Sequence, residues 1–120
     1  MIKIISSDIH EFINFLNTKF PTNKDVFLHI VENCDTVEDT ITGEQGYGVF
    51  VTSKDDLYNH IYVVGMDENT PLECSDICWL IAHEFKHFIQ KYMEDDDFSE
   101  DGADSFAYKM IKEFENRKQQ

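Results

Sequence analysis

The segment 70–93 limits the fold of this chain more than any other part of the sequence. It opens with Thr70-Pro71-Leu72-Glu73, which combines an N-cap hydroxyl, a proline at the first helical position and a capping-box glutamate. The helical pattern can continue to about Met93. Its apolar residues point almost all round the helix axis, which predicts a central, buried helix. Any fold for this chain must therefore cover that helix on several sides.

The rest of the chain supplies two helices and three strands that could cover it. Apolar residues at three- and four-residue steps predict a first helix over 9–20. Apolar, β-branched and aromatic runs predict strands at 26–31, 47–52 and 60–64. A polar loop is expected over 32–46, and a turn over 54–59 suits an antiparallel hairpin between the last two strands. A final helix follows the acidic segment 94–97.

The composition indicates that these elements belong to one domain. The chain has 120 residues, of which 42% are hydrophobic and 13% aromatic, and this is enough for one core but too little for two. We therefore expect a single domain over 1–120. Its class would be α+β, with a small, mainly antiparallel three-stranded sheet.

Charge and cysteine content disfavour several classes of function. Ten Lys and Arg against 24 Asp and Glu give a net charge of −14, which disfavours nucleic-acid binding because phosphate contacts need basic side chains. No apolar run approaches the roughly 18 residues of a membrane span, and residues 1–12 lack the apolar core of a signal peptide. Three cysteines do not suggest a disulfide framework. A cytoplasmic protein with no membrane or nucleic-acid partner is expected.

Inside the predicted central helix lies His83-Glu84-Phe85-Lys86-His87, an H-E-x-x-H motif. Residues four apart lie on one helical face, so both imidazoles can reach a single zinc ion. Glu84 is turned about 100° from His83, and from there it can act as general base toward a water that zinc activates. This composition would produce roughly 0.02 such matches by chance. Two solvated surface histidines, the plainer interpretation, do not suit an otherwise apolar helix.

A zinc hydrolase needs a third protein ligand and one open position. The metzincin continuation is absent, since Gln90 and Met93 stand where that pattern has Gly and His. A three-histidine site would have to recruit His10, His29 or His60 from upstream. An acid on the last helix is more economical, because Glu100 and Asp104 are four residues apart. Glu100 could then bind the metal while Asp104 accepts the other ring N–H of a ligand histidine.

The identity of that acid has several alternatives. Seven acidic residues lie within 94–104, so that almost any spacing would find a carboxylate there. Asp104 itself, Asp97 or Asp101 could take the place of Glu100. A solvated acidic loop with no metal contact is the plainer interpretation of the same segment.

Other residues near the motif also have competing interpretations. The segment 97–102 matches the first six positions of an EF-hand loop, but Tyr108 stands where a bidentate glutamate is required. Cys74 and Cys78 fall on the side of the helix away from the histidines and are expected to pack as small hydrophobic residues. Packing is also favoured over a role as oxyanion donor for His60, Tyr62 and Tyr108.

The motif and the segment after it resemble a known family. H-E-x-x-H followed by E-x-x-A-(N/D)-x-F-A is similar to the zincin metallopeptidase-like proteins of the ImmA/IrrE group, over roughly residues 70–111. The matching residues are His83, Glu84, His87, Glu100, Ala103, Asp104, Phe106 and Ala107. The chain departs from the family in its 12-residue spacer before Glu100 and in Lys86, where family members usually have Gly.

The resemblance implies a zincin-like fold with one zinc ion and a gluzincin-type ligand set. The ligands would be His83, His87 and Glu100, with Glu84 as the catalytic residue and Asp104 as an acid that orients a ligand imidazole. The implied function is a zinc-dependent peptidase that hydrolyses a peptide bond in a protein substrate. By the same resemblance, that substrate could be a transcriptional repressor, often of a phage or mobile element.

A second function, of another class, fits the same residues. A zinc-containing regulatory module could bind a partner protein with little or no turnover, and the net charge of −14 would suit a basic partner. Glu84 distinguishes the two, because a pure binding module has no need of a general base beside the metal. Its presence favours the peptidase.

Overall fold

The computed structural model describes residues 7–21, 24–31, 36–38, 45–52, 59–67, 70–92 and 100–118. Within them the predicted α+β class is confirmed, with three helices and a small three-stranded sheet. The elements in chain order are α1 (Ser7–Lys19), β1 (Phe27–Val31), β2 (Val37–Glu38), β3 (Gln45–Gly46), β4 (Gly48–Thr52), β5 (Asn59–Val64), β6 (Met66–Asp67), β7 (Thr70–Pro71), α2 (Cys74–Tyr92) and α3 (Glu100–Lys118).

The main sheet has the strand order β1-β5-β4. β4 runs antiparallel to β5, with Gly48 opposite Val63, so the hairpin predicted between these strands is confirmed. β1 runs parallel to β5, with Phe27 opposite His60. The sheet is therefore mixed rather than mainly antiparallel. The reason is that the chain leaves β1, enters again at the far edge as β4 and turns back between the two as β5.

The start of α2 differs from the prediction. Thr70 and Pro71 form β7, which pairs antiparallel with β6, instead of the N-cap and first position of the helix. The N–H groups of Asp76 and Ile77 each donate to the carbonyl of Glu73 at 3.1 Å. The helix therefore begins immediately after Glu73, because the preceding residues are held in strand pairing.

The stretch 32–46, predicted to be a loop, contains the short strands β2 and β3. They pair antiparallel, with Val37 opposite Gly46. Two-residue strands are too short to show the alternation of polar and apolar residues by which strands are recognised, which explains the difference. Residues 32–35 and 39–44 of that loop, and residues 54–58 of the predicted turn, lie outside the described residues.

The predicted central helix lies at the centre of the fold. α2 packs against α1, α3, β4 and β5, and its buried residues include Ile77, Ala82, Phe85 and Phe88. Burying each large apolar side chain contributes about 1.5–3 kcal/mol. The largest fully buried side chains are Phe12, Phe88, Ile9, Ile61, Met110, Val63 and Val64. None of the helices in the described ranges has the length and apolarity needed to cross a membrane.

The side chains of the sheet separate into two faces. Ile61 and Val63 of β5 join the core beneath α2. Since successive strand residues point to opposite faces, His60 and Tyr62 lie on the face away from α2. Cys78, on α2, is buried in the core, and Cys74 packs against it, as predicted. In the part of the chain that the structure describes, neither forms a disulfide.

Candidate metal centre

Two histidines of α2 come together across one helical turn. The ring centroids of His83 and His87 are 5.3 Å apart, because residues four apart lie on the same face of a helix. One ligand atom from each of His83, Glu84 and His87 lies within 4.8 Å of the other two. In the part of the chain that the structure describes, this is the one group of three or more His, Cys, Asp or Glu residues with that geometry. The group could hold a metal ion.

The Nδ1 atom of each imidazole is next to a side-chain oxygen. His83 Nδ1 lies 2.9 Å from Asp104 Oδ1 of α3, and His87 Nδ1 lies 3.0 Å from Gln90 Oε1. An imidazole whose Nδ1–H is held by an acceptor presents Nε2 to a metal, with its ring orientation fixed. The contact at His87 therefore favours the tautomer that a metal ligand needs, and Asp104 lies close enough to His83 Nδ1 to favour the same tautomer there. Asp104 has the position expected of an orienting acid, and that role stays a prediction.

Gln90 is a site residue that the sequence analysis did not identify. It lies three residues after His87 and is only 3% exposed. Because a buried amide needs hydrogen-bond partners, its contact with His87 accounts for a polar residue at this buried position. The sequence holds a signal that could have found it, since residues three apart on a helix are neighbours. Gln90 entered that analysis only as a mismatch to the metzincin pattern.

Glu84 lies against the backbone of β4. The residue is 5% exposed, and its neighbour on the strand is Gly48. A Cβ at position 48 would lie 3.1 Å from Glu84 Cγ and 3.5 Å from Glu84 Oε2. The glycine therefore lets the strand approach the carboxylate more closely than any other residue would allow.

Helix α3 forms the other wall of the site. Ala103 and Ala107 are fully buried, so the backbone of α3 can come close to α2. That approach brings Asp104 to His83. On the same side, Lys86 Nζ lies 5.3 Å from the centroid of the Phe106 ring. The small residues of α3 thus determine how α3 packs on the face of α2 that carries the histidines.

The side chain of the predicted third ligand lies outside the described part of the chain. Glu100 is the first residue of α3, and its side chain, like residues 93–99, lies outside the described part of the chain. Its assignment as a ligand stays a prediction, as does the alternative of Asp97. Asp101 is exposed, and it does not belong to the group that could hold a metal.

The calcium-loop alternative is wrong. The fifth and sixth positions of that loop would be Asp101 and Gly102, and both lie within α3. An EF-hand requires a sharp turn at its sixth position, and a continuous helix does not provide one.

The other three histidines lie outside the metal group. His10 is exposed on α1, and His29 and His60 stand on the outer face of the sheet, where His29 Nε2 is 2.9 Å from His60 Nδ1. The His29 ring stacks on Tyr62 with centroids 4.4 Å apart. Burial, and then the nearby His60, hold the pKa of His29 below its ordinary value. Because their strand face points away from α2, His60 and Tyr62 cannot serve as oxyanion donors there.

Tyr108, the remaining candidate donor, is 73% exposed on α3. It lines a groove between α2 and α3 together with Trp79 and Ile111. Trp79 is the residue that connects this groove to the metal group, since its ring centroid is 5.3 Å from that of His83.

Comparison with known proteins adds no family to this description. No family model, no curated protein and no solved structure matches the chain. Interpretation therefore depends on the site itself. Two imidazoles on one helical face are donors that suit zinc, and the carboxylate and amide beside their Nδ1 atoms are the partners that zinc-ligating histidines usually have. The residues present fit such an ion.

Proposed function

We propose that this protein is a zinc-dependent peptidase. The observation that carries the proposal is the position of Glu84, a buried carboxylate grouped within 4.8 Å of two histidine ligand atoms. A metal site that only stabilises a fold uses its acids as ligands or leaves them out. A carboxylate beside two imidazoles on one helix is the arrangement that general-base catalysis requires.

The chain's own residues would divide the chemistry between them. Zinc, when bound, supplies a Lewis acid that polarises the scissile carbonyl and lowers the pKa of water. His83 and His87 would hold the ion, together with Glu100, the predicted third ligand. Glu84 would accept a proton from the attacking water and then deliver it to the leaving amine. Asp104 and Gln90 would keep the two imidazoles in position.

The sheet offers a place for the substrate backbone. β4 is at one edge of the main sheet, and Gly48 brings its backbone beside Glu84. An extended peptide that paired with this edge would pass its own backbone close to the general base. A protein or peptide substrate fits this geometry. The resemblance to the ImmA/IrrE group supports a repressor-type substrate, and the cytoplasmic location expected from the sequence suits such a substrate.

The test is a substitution that removes the base and preserves the shape. Glu84→Gln should abolish cleavage of an internally quenched peptide library by the zinc-loaded protein, with a loss of at least about 100-fold. Zinc binding, measured by competition with a chromophoric chelator, should be retained. Glu11→Gln, an exposed glutamate of α1, is the matched control and should cleave like the unmodified protein.

Equal cleavage by Glu84→Gln and the unmodified protein would contradict the proposal. Absence of cleavage by the unmodified, zinc-loaded protein would also contradict it. Either result would leave a zinc-containing binding module as the function of this site.

A further inference from the structure

A small pocket lies beside the metal centre and has no role in the mechanism above. Its volume is about 180 Å³, and its lining residues are Tyr47, Leu72, Asp76, Trp79 and Leu80. Pockets for whole small molecules measure about 300–1,000 Å³. This pocket is therefore of a size for a single side chain.

Two contacts connect the pocket to the candidate catalytic group. Trp79 forms one wall and lies against His83, with ring centroids 5.3 Å apart. Tyr47 forms another and immediately precedes Gly48, the residue packed on Glu84. A peptide that passed Glu84 along β4 would therefore run past the mouth of this pocket.

The backbone around the pocket is held in place. The carbonyl of Tyr47 accepts a hydrogen bond from the N–H of Val64 at 3.0 Å, and the N–H of Leu72 donates to the carbonyl of Gly65 at 2.9 Å. Asp76 belongs to the first turn of α2. The pocket walls thus come from the residue before β4, the first turns of α2 and the segment between β7 and α2. Since these parts of the backbone are hydrogen-bonded, the pocket is a fixed feature of the fold.

We propose that this pocket binds a basic side chain, arginine above all, of the peptide substrate. The proposal rests on the peptidase function proposed above. Among the described residues that line the pocket, Asp76 is the one that carries a charge, and it can pair with a guanidinium. The rings of Tyr47 and Trp79 can stack on the same cation. Leu72 and Leu80 offer apolar surface to the aliphatic part of the side chain.

Other side chains fit the lining less well. An acidic side chain would be repelled by Asp76, and an apolar one would take water away from that carboxylate without replacing its hydrogen bonds. The net charge of −14 further favours approach by a basic peptide. The charge of Asp76, the two aromatic rings and the volume of the pocket therefore all favour a basic side chain.

The chain provides its own reporter for a binding test. Trp79 is the sole tryptophan, so its fluorescence can be followed while N-acetylarginine amide is added to the zinc-loaded protein. N-acetylcitrulline amide, which has nearly the same shape but no charge, is the matched probe. We expect saturable quenching that is at least about fivefold tighter for the arginine probe. In Asp76→Asn this preference should disappear.

Glu73→Gln is the matched control variant. It removes a negative charge three residues before Asp76, at the same end of α2, from an exposed residue that does not line the pocket. It should keep the arginine preference, which separates a direct contact from a general effect of charge at the helix start. Equal quenching by the two probes, or a preference that survives Asp76→Asn, would overturn the proposal.

A second measurement distinguishes this proposal from the peptidase function. Selective arginine binding without cleavage of any peptide would support the pocket and contradict the peptidase. Cleavage of the quenched peptide library with no preference for Arg or Lys at any position would support the peptidase and overturn the pocket.

Discussion

At the residue scale, the two histidines of the metal group are positioned in different ways. Asp104, which contacts His83, belongs to another helix, so this contact depends on how α2 and α3 pack. Gln90, which contacts His87, belongs to the same helix and is fixed by its local geometry. Orientation of His87 should therefore survive small movements of α3 that would displace the partner of His83.

Gln90→Met tests the contact to His87. Methionine fills a similar volume but has only a weak acceptor, so the imidazole loses the group that holds its Nδ1–H. Zinc affinity should fall by about 10–100-fold, as measured by chelator competition. Ile89→Met, a buried neighbour on α2, is the packing control and should bind zinc normally. Unchanged affinity in Gln90→Met would show that the amide does not position the ligand.

At the element scale, α2 and α3 form one unit around the candidate metal. Buried Ala103 and Ala107 bring the helices together, and the contact between His83 and Asp104 joins them beside the site. Elsewhere α3 packs independently of the metal, because Met110 is buried in the core and the ring of Phe114 contacts that of Phe12. Nearby, Lys19 at the end of α1 forms an ion pair with Glu113. That hydrogen-bonded pair lowers the pKa of Glu113. The two ends of α3 should therefore respond differently when the metal is removed.

Chelation provides the measurement of this difference. Removal of the metal would leave the contact with Asp104 as the remaining restraint on the His83 ring, and we expect that contact to be made less of the time. Amide hydrogen exchange should then become faster in the first turns of α3, around Ala103, and change little near Glu113. The melting temperature should fall as well. Unchanged exchange after verified removal of zinc would contradict the coupling.

The outer face of β1 and β5 gives a prediction about pH. Because burial and His60 lower the pKa of His29, the unfolded chain binds a proton at His29 near pH 6.5, while the folded protein does so only at lower pH. Proton binding at His29 therefore favours the unfolded chain. The protein has its full free energy of unfolding above about pH 6.5, and part of that free energy is lost as the pH falls below this value.

We therefore expect the melting temperature to fall less between about pH 7 and pH 5.5 in His29→Phe than in the unmodified protein. Phenylalanine keeps a ring on Tyr62 but does not titrate. His10→Gln, at an exposed position of α1, is the control for removal of a histidine elsewhere. An equal fall in His29→Phe and the unmodified protein would contradict the prediction.

At the scale of the whole molecule, charge opposes compactness. A net charge of −14 on 120 residues creates self-repulsion that salt can screen. Raising sodium chloride from about 20 mM to about 500 mM should therefore increase the melting temperature by a few degrees, equivalent to ~1 kcal/mol. The measurement is thermal unfolding at equal zinc content. A constant or falling melting temperature would show that local ion pairs outweigh the overall repulsion.

Across the whole molecule, the features that the sequence predicts are those that depend on residues close together in the chain. The three strands of the main sheet and the body of α2 follow from local patterns of apolar residues. The grouping of His83 with His87, one helical turn apart, and with the adjacent Glu84 is local as well. The parallel pairing of β1 with β5 and the strand pairing of Thr70 and Pro71 depend on partners elsewhere in the chain, and local patterns do not contain them. Gly48 illustrates the limit most clearly, since only the packing of β4 on α2 reveals its neighbour.

Because Gly48 lies against Glu84, stability and activity favour different residues at this position of β4. A glycine within a strand costs roughly 0.5–1 kcal/mol relative to alanine, so strand propensity taken alone would favour a substitution at Gly48. The new side chain would press on Glu84, which would have to shift by a few tenths of an ångström. The strand would gain rigidity while the proposed base lost its alignment. Gly48 is therefore a site where selection for robustness and selection for turnover would favour different residues.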